Sequence, residues 1–363
     1  MKRVLCLLMA LLAEATPLWA HPYMIRLGYS TCATCHISPQ GGGLLTPYGQ
    51  GVEGALSLRV HEYKPQVSTE NPRLLYDVRA LAGGIWSPEF RWGISGVPSS
   101  NAEVLLFSSL KASAHHRLTY TIGVASPTST PQTAGDSIRV DVPTLVWQYR
   151  PVEGFELMIG RDALPTGLGS PDPQTFIRLG TDQGSTATPT QVKAFWWNKR
   201  WQVTPYVFGP AVNEADANRE WGSGVLAGIA TANQRAIVGL SADEAQASMV
   251  DRRSIGAYAR LGFGKWSVLA EHELATRATN VTTDYVAGHT RVIFVPYRWL
   301  ETWLSTEELV ADMPTSAHTI RVTPGMLVRI SENLMAGFTY REVFTGSGQS
   351  QTYAASVTLK SSN

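Results

Sequence analysis

From Arg73 to Lys360 the chain alternates apolar and polar residues with a period of two, and no other feature narrows its folding options as much. Residues 316–330 show the pattern. Ile320, Val322, Pro324, Met326, Val328 and Ile330 lie on one face, and Thr319, Arg321, Thr323, Gly325 and Arg329 on the other, with Leu327 as the exception. Ser331-Glu332-Asn333 then supply a turn, after which Leu334, Ala336, Phe338 and Tyr340 alternate with Gly337, Thr339 and Arg341. A period of two with one apolar face is a two-sided strand, and two such runs around a short polar turn are a hairpin.

Hairpins are predicted at about 102–126, 138–162, 188–209, 221–243, 252–275, 284–309 and 317–344. Their inner turns fall at Ala114-His115-His116, Val152-Glu153, Asn198-Lys199-Arg200, Ala232-Asn233-Gln234, Gly264-Lys265, Pro296-Tyr297 and Glu332-Asn333. The connections between hairpins are longer, as at 127–137, 163–187, 210–220, 244–251 and 345–351. With one strand before them (73–84) and one after (352–360), the count is sixteen. Short turns alternating with long connections predict an all-β fold: a transmembrane antiparallel β-barrel of the outer-membrane type, over residues 72–363. An even strand number brings both chain ends to one side.

Composition supports that reading. Charged residues make up 16% of the chain, against roughly 25% in an average soluble domain. Trp196, Trp201, Trp221, Trp266, Trp299 and Trp303 fall near proposed strand ends, where interfacial girdles belong. The last strand keeps its alternation through Tyr353, Ala355, Val357 and Leu359 but ends in a polar tail instead of an aromatic residue. A formal net charge of +1 provides no basic face for nucleic acid.

Residues 1–20 read as a secretory signal peptide, with Lys2 and Arg3 before the apolar run Val4 to Leu12 and Ala20 at the cleavage site. Without Lys2, Arg3 and Glu14 the 30 basic and 29 acidic residues become 28 and 28. Cys6 leaves with this segment, so the mature chain keeps only Cys32 and Cys35, too few for a disulfide framework. Residues 21–71 form a separate small head, ending in the polar, proline-bounded stretch from Lys64 to Pro72. About fifty residues bury little core alone and call for a covalent or metal staple.

That staple is legible in Cys32-Ala33-Thr34-Cys35-His36. In a Cys-x-x-Cys-His run the two thiols form thioethers with the haem vinyl groups, and the adjacent histidine is the proximal iron ligand. The cofactor expected is one covalent haem c, held by Cys32, Cys35 and His36. A zinc site would need two more ligands close by. The sixth position is open among His61, Met24 and His21, ranked in that order. Met24 would raise the potential relative to bis-histidine ligation. Gly41-Gly42-Gly43 either lets the backbone pass close to the porphyrin or is a flexible loop.

A secretory signal, a very short head carrying Cys32, Cys35, His36, Ser38, Pro39 and Gly41 to Gly43, and a following barrel together resemble the fused monohaem c-type cytochrome–porins of the bacterial outer membrane. Members of the iron-oxidase type take electrons from external iron(II) through a single haem. The resemblance therefore implies an electron conduit across the outer membrane, fed by iron(II) or another external donor, with periplasmic electron-transfer cytochromes and membrane lipid as partners. The head would sit in the periplasm or inside the lumen. An enzymatic activity, if there is one, would be that of an iron(II):cytochrome oxidoreductase. The alternative is a haem-bearing porin or passive channel whose head plugs or gates the barrel.

No acid–base pair or nucleophile constellation stands out. Asp136, Asp141, Arg161 and Asp162 read as lumenal charges. Glu214, Asp216 and Glu220, with Asp243, Glu244 and Asp251, read as two acidic loops whose hard oxygens would suit iron(II) or other divalent ions.

Overall fold

A computed structural model describes residues 22–59, 73–86, 99–125, 139–168, 176–177, 188–210, 219–248, 250–279, 281–312, 317–346 and 348–362. The alternating region folds into sixteen strands. They are β1 (Leu74–Trp86), β2 (Ser99–Lys111), β3 (His116–Ala125), β4 (Arg139–Val152), β5 (Phe155–Arg161), β6 (Thr190–Trp197), β7 (Trp201–Gly209) and β8 (Trp221–Ala230). The second half comprises β9 (Ala236–Gln246), β10 (Asp251–Phe263), β11 (Trp266–Ala278), β12 (Thr282–Tyr297), β13 (Leu300–Asp312), β14 (Ala317–Ser331), β15 (Leu334–Thr345) and β16 (Gly348–Ser362). Each pairs antiparallel with its sequence neighbours, and β1 closes the ring on β16 in a register running from Asp77 opposite Ser362 to Trp86 opposite Tyr353. Closure leaves no free edge. The polar tail does not cost β16 its place, because both its flanks are paired.

Burial alternates along the strands in the sense opposite to a water-soluble protein. Leu145, Val207, Ile229, Leu240, Ile255, Leu274 and Leu304 are exposed, whereas Asp77, Lys193, Glu271, Glu307, Arg321 and Arg329 are buried. An apolar exterior around a charged interior is a barrel whose outer wall meets membrane lipid. The inner charges are neutralised in pairs: Lys193 with Asp162 at 2.6 Å, Arg252 with Asp243 at 2.8 Å, Arg321 with Glu307 at 2.5 Å and Arg329 with Glu301 at 3.1 Å. On β14, Ile320 and Met326 face outward and Arg321, Thr323 and Arg329 inward, as the periodicity requires. The odd residue Leu327 points inward and is buried.

Three expectations are corrected. The connections at 247–250, 279–281, 313–316 and 346–347 are tight, so on that rim only 87–98, 126–138, 162–189 and 210–220 are long. Asp243 and Glu244 belong to β9 and Asp251 opens β10, which makes 244–251 mostly strand. Their polarity suggested a loop, but polar residues also face a charged lumen. The turn read at Pro296-Tyr297 lies at 298–299, because a bulge between Phe294 and Tyr297 carries β12 past it. Finally, Trp196, Trp201, Trp221 and Trp266 are exposed as girdle residues should be, but Trp303 packs inward against the cluster around Leu168 and Ile293.

Residues 22–59 hold two short 3-10 turns (Pro22–Leu27 and Cys32–Thr34) and one helix, α1 (Pro47–Gly54). Thr46 caps α1 by accepting from the Gly49 amide at 3.0 Å, and Pro47 suits the first helical position. The segment touches the inner wall at points spread around the ring. Arg79 on β1 donates to the Gly43 carbonyl, Arg150 on β4 to that of Ile37, and Lys193 on β6 to the Gln40 side chain. Arg260 on β10 approaches Cys32, the Leu58 amide donates to the Arg329 carbonyl on β14, and Lys360 on β16 pairs with Glu53. The connection 162–189 also sends its described residues 164–168 and 176–177 inward. Leu164 and Leu168 are buried, and the Phe176 amide donates to Glu307 on β13 at 2.8 Å, with the Arg321 guanidinium 4.4 Å over its ring. It thus reaches from β5 and β6 to strands half a ring away.

Candidate functional site

The Cys32–His36 run is wound into a turn, with the Cys35 and His36 amides both donating to the Cys32 carbonyl at 3.1 and 2.9 Å. Beyond it the chain doubles back. His36 bridges Leu45, the Ile37 amide donates to Leu44, and the Thr46 amide donates to Cys35. The tip of this return holds Gly41, Gly42 and Gly43 with φ of 86, 72 and 57°, left-handed values that side chains other than glycine's rarely allow. The glycine run is therefore a tight turn, and it aims the Gly42 carbonyl at His36 Nδ1, 2.8 Å away.

A carbonyl only accepts, so Nδ1 carries the proton and donates, and the Nε2 lone pair is left available. Desolvation holds the imidazole neutral, its pKa pulled down to about 4 against the opposing pull of the Gly42 hydrogen bond. A neutral ring oriented by a backbone carbonyl is the form that ligates iron. Burial, reinforced by Cys32, pushes the Cys35 thiol up to about 11. That is opposite to the depressed pKa of a reactive redox dithiol. Among the described residues no group of three His, Cys, Asp or Glu could hold a metal ion.

Helix α1 packs directly on the motif. A Cβ on Gly49 would stand 2.1 Å from the Cys35 carbonyl oxygen, so this position admits no side chain. Gly49→Ala is expected to destabilise residues 22–59 by about 1–3 kcal/mol through overpacking. The readout is faster proteolysis within that segment while the heat-dependent gel mobility of the folded barrel is unchanged. A cleavage rate equal to wild type would show that the contact is slack.

Cys32, Cys35, His36 and Met24 line one pocket of about 850 Å³, partly open to solvent, with Leu45, Val52, Leu56 and Leu168 among its apolar walls. Two thiols, an imidazole with a free Nε2, a thioether and apolar walls fit a covalently held haem. Of the three candidates for the sixth position, Met24 is brought to this pocket, while His61 and His21 lie outside the described residues.

The acidic loop read at Asp243, Glu244 and Asp251 does not form. Asp243 is buried between Arg252 and Ser254, and Glu220 bonds Arg252 at 3.1 Å. Glu214 and Asp216 lie outside the described residues, as does Asp136. Asp162 is a lumenal partner of Lys193, and Arg161 donates to Thr188 at 2.7 Å. Arg260, Leu168 and Gly49 were missed. Alternation places Arg260 on the inner face of β10, but no local signal brings it to Cys32, 228 positions away in sequence.

No protein-family model matches the sequence, and no curated protein matches it either. Solved structures do match in fold. Outer-membrane expressed OmpT of Vibrio cholerae superposes with a TM-score of 0.61 at 9% identity, over 80% of this chain and 99% of that one. The anion-selective porin from Comamonas acidovorans gives 0.60 at 8%, over 79% and 99%, and Salmonella typhi OmpF, in complex with daunomycin, gives 0.59 at 11%, over 79% and 97%. At these identities the likeness is one of fold: this chain forms a porin-like outer-membrane barrel.

Proposed function

We propose that this barrel conducts electrons across the outer membrane through one haem c, attached at Cys32 and Cys35 and ligated by His36, with residues 22–59 filling the lumen at the short-turn rim. The single observation that carries the reading is the convergence of both thiols, the imidazole and Met24 on one pocket whose lining segment is tied to strands all round the ring. When bound there, haem supplies one-electron redox chemistry. The Gly42 carbonyl keeps the proton on His36 Nδ1 and the Nε2 lone pair facing a ligand. Met24, which lines the same pocket, would supply the sixth ligand. Leu45, Val52, Leu56 and Leu168 exclude water. The donor is external iron(II) or another extracellular reductant, and the acceptors are periplasmic cytochromes.

A second reading, a channel that the head plugs or gates, is favoured by the porin neighbours. The two part in one experiment. Intact cells are treated with a reductant tethered to a polymer too large for any porin, while liposomes holding the purified protein are tested for swelling in small sugars. Haem reduction without swelling is expected. Swelling without haem reduction would establish the channel.

A further inference from the structure

The pocket that holds Cys32, Cys35 and His36 carries two arginines, and only one is neutralised. Arg79 donates from Nε and a terminal nitrogen to Asp77 at 2.9 and 2.7 Å, donates to the Gly43 carbonyl at 2.8 Å, and lies over the Phe107 ring. Arg260 pairs with no carboxylate among the described residues. It donates to the Leu168 carbonyl at 2.8 Å, approaches Cys32 Sγ at 3.8 Å and lies 5.9 Å from the Tyr258 ring centre. Its Nε is buried with no acceptor. Guanidinium stays charged at any physiological pH. Partly withdrawn from water without a carboxylate partner, the guanidinium favours an anion in this pocket.

Arg260 also stands where two cavities meet. It lines the Cys32–His36 pocket and the neighbouring one bounded by Pro39, Thr166 and Phe195. Its two partners hold the guanidinium between the motif and the 162–189 connection, leaving its remaining terminal N–H donors for a ligand. We propose that Arg260 forms a carboxylate subsite, binding an acid group on the ligand of this pocket. On the haem reading, on which this assignment rests, that group is a porphyrin propionate. Arg–carboxylate pairing is directional, so the subsite would set which way the ring faces in the pocket.

The test uses the full chain made in cells without c-type haem attachment and folded in detergent, with heat-dependent gel mobility confirming the barrel. It is titrated with ferric haem and with haem dimethyl ester, whose carboxylates are blocked. Wild type should bind the free acid about tenfold more tightly than the ester, the order expected of one charged hydrogen bond. Arg260→Ala should erase that preference and leave ester affinity unchanged, and Arg260→Lys should keep part of it. An Arg260→Ala protein that retains the preference, or loses affinity for both ligands equally, overturns the subsite. A wild type that binds both equally overturns the subsite and spares the haem reading. Binding of neither overturns both.

Discussion

In a denaturing gel, the full-length band from cells that mature c-type cytochromes should stain for haem peroxidase activity, and Cys35→Ala should lose most or all of that stain. Thioether bonds survive denaturation, whereas a haem held only by its iron ligands is released. The chain's other two thiols do not stand in for Cys35: Cys32 belongs to the same motif, and Cys6 lies in the segment read as a signal peptide. The double variant Cys32→Ala/Cys35→Ala should stain no more than background. Met24→Ala provides the contrast. It removes an iron ligand but no covalent bond, so the stain should persist while the weak far-red absorption of a sulfur–iron bond disappears. A wild-type band without stain would end the haem reading, and an unaltered Met24→Ala spectrum would send the sixth position to His61 or His21.

Deletion of residues 22–59 should raise single-channel conductance in planar bilayers by roughly tenfold or more, since sixteen-strand rings leave an aqueous channel when empty. The barrel does not need the segment in order to close: every strand pair, including β1 with β16, lies outside it. Lys360 loses Glu53 but remains 3.6 Å from Asp77, and Arg329 keeps Glu301. Leu164, Leu168 and Phe176 stay inside, so conductance should rise without reaching that of an unobstructed ring. Equal conductance before and after deletion would show that the segment does not block the lumen.

The strands were legible because lipid outside and charge inside impose a strict alternation, and β14 reads directly from Ile320, Arg321, Val322 and Thr323. The same rule concealed the second half of one rim. Asp243 and Glu244 are polar in either a loop or a lumenal strand, and only pairing with β8 and β10 decides. The motif Cys32–His36 was legible because its chemistry is local. Its surroundings were not, because they depend on register around a closed ring. Arg260 meets Cys32, and Glu307 meets Phe176, through curvature that no short window of sequence carries. Nothing in the sequence around Gly49 marks the Cys35 carbonyl that stands against it.

The inward contacts of Leu164, Leu168 and Phe176 have a mechanical consequence. A hollow cylinder of sheet yields most easily by flattening into an ellipse. A strut anchored at Gln40, Arg260 and Glu307 resists that mode by tying opposite walls together. The volume around Cys32 and His36 is then walled by residues of the 22–59 segment and by Leu168 of the strut. Were the proposed haem bound there, a braced cavity would change little with its charge, the reorganisation energy would stay small, and an electron could pass without waiting for the protein to move.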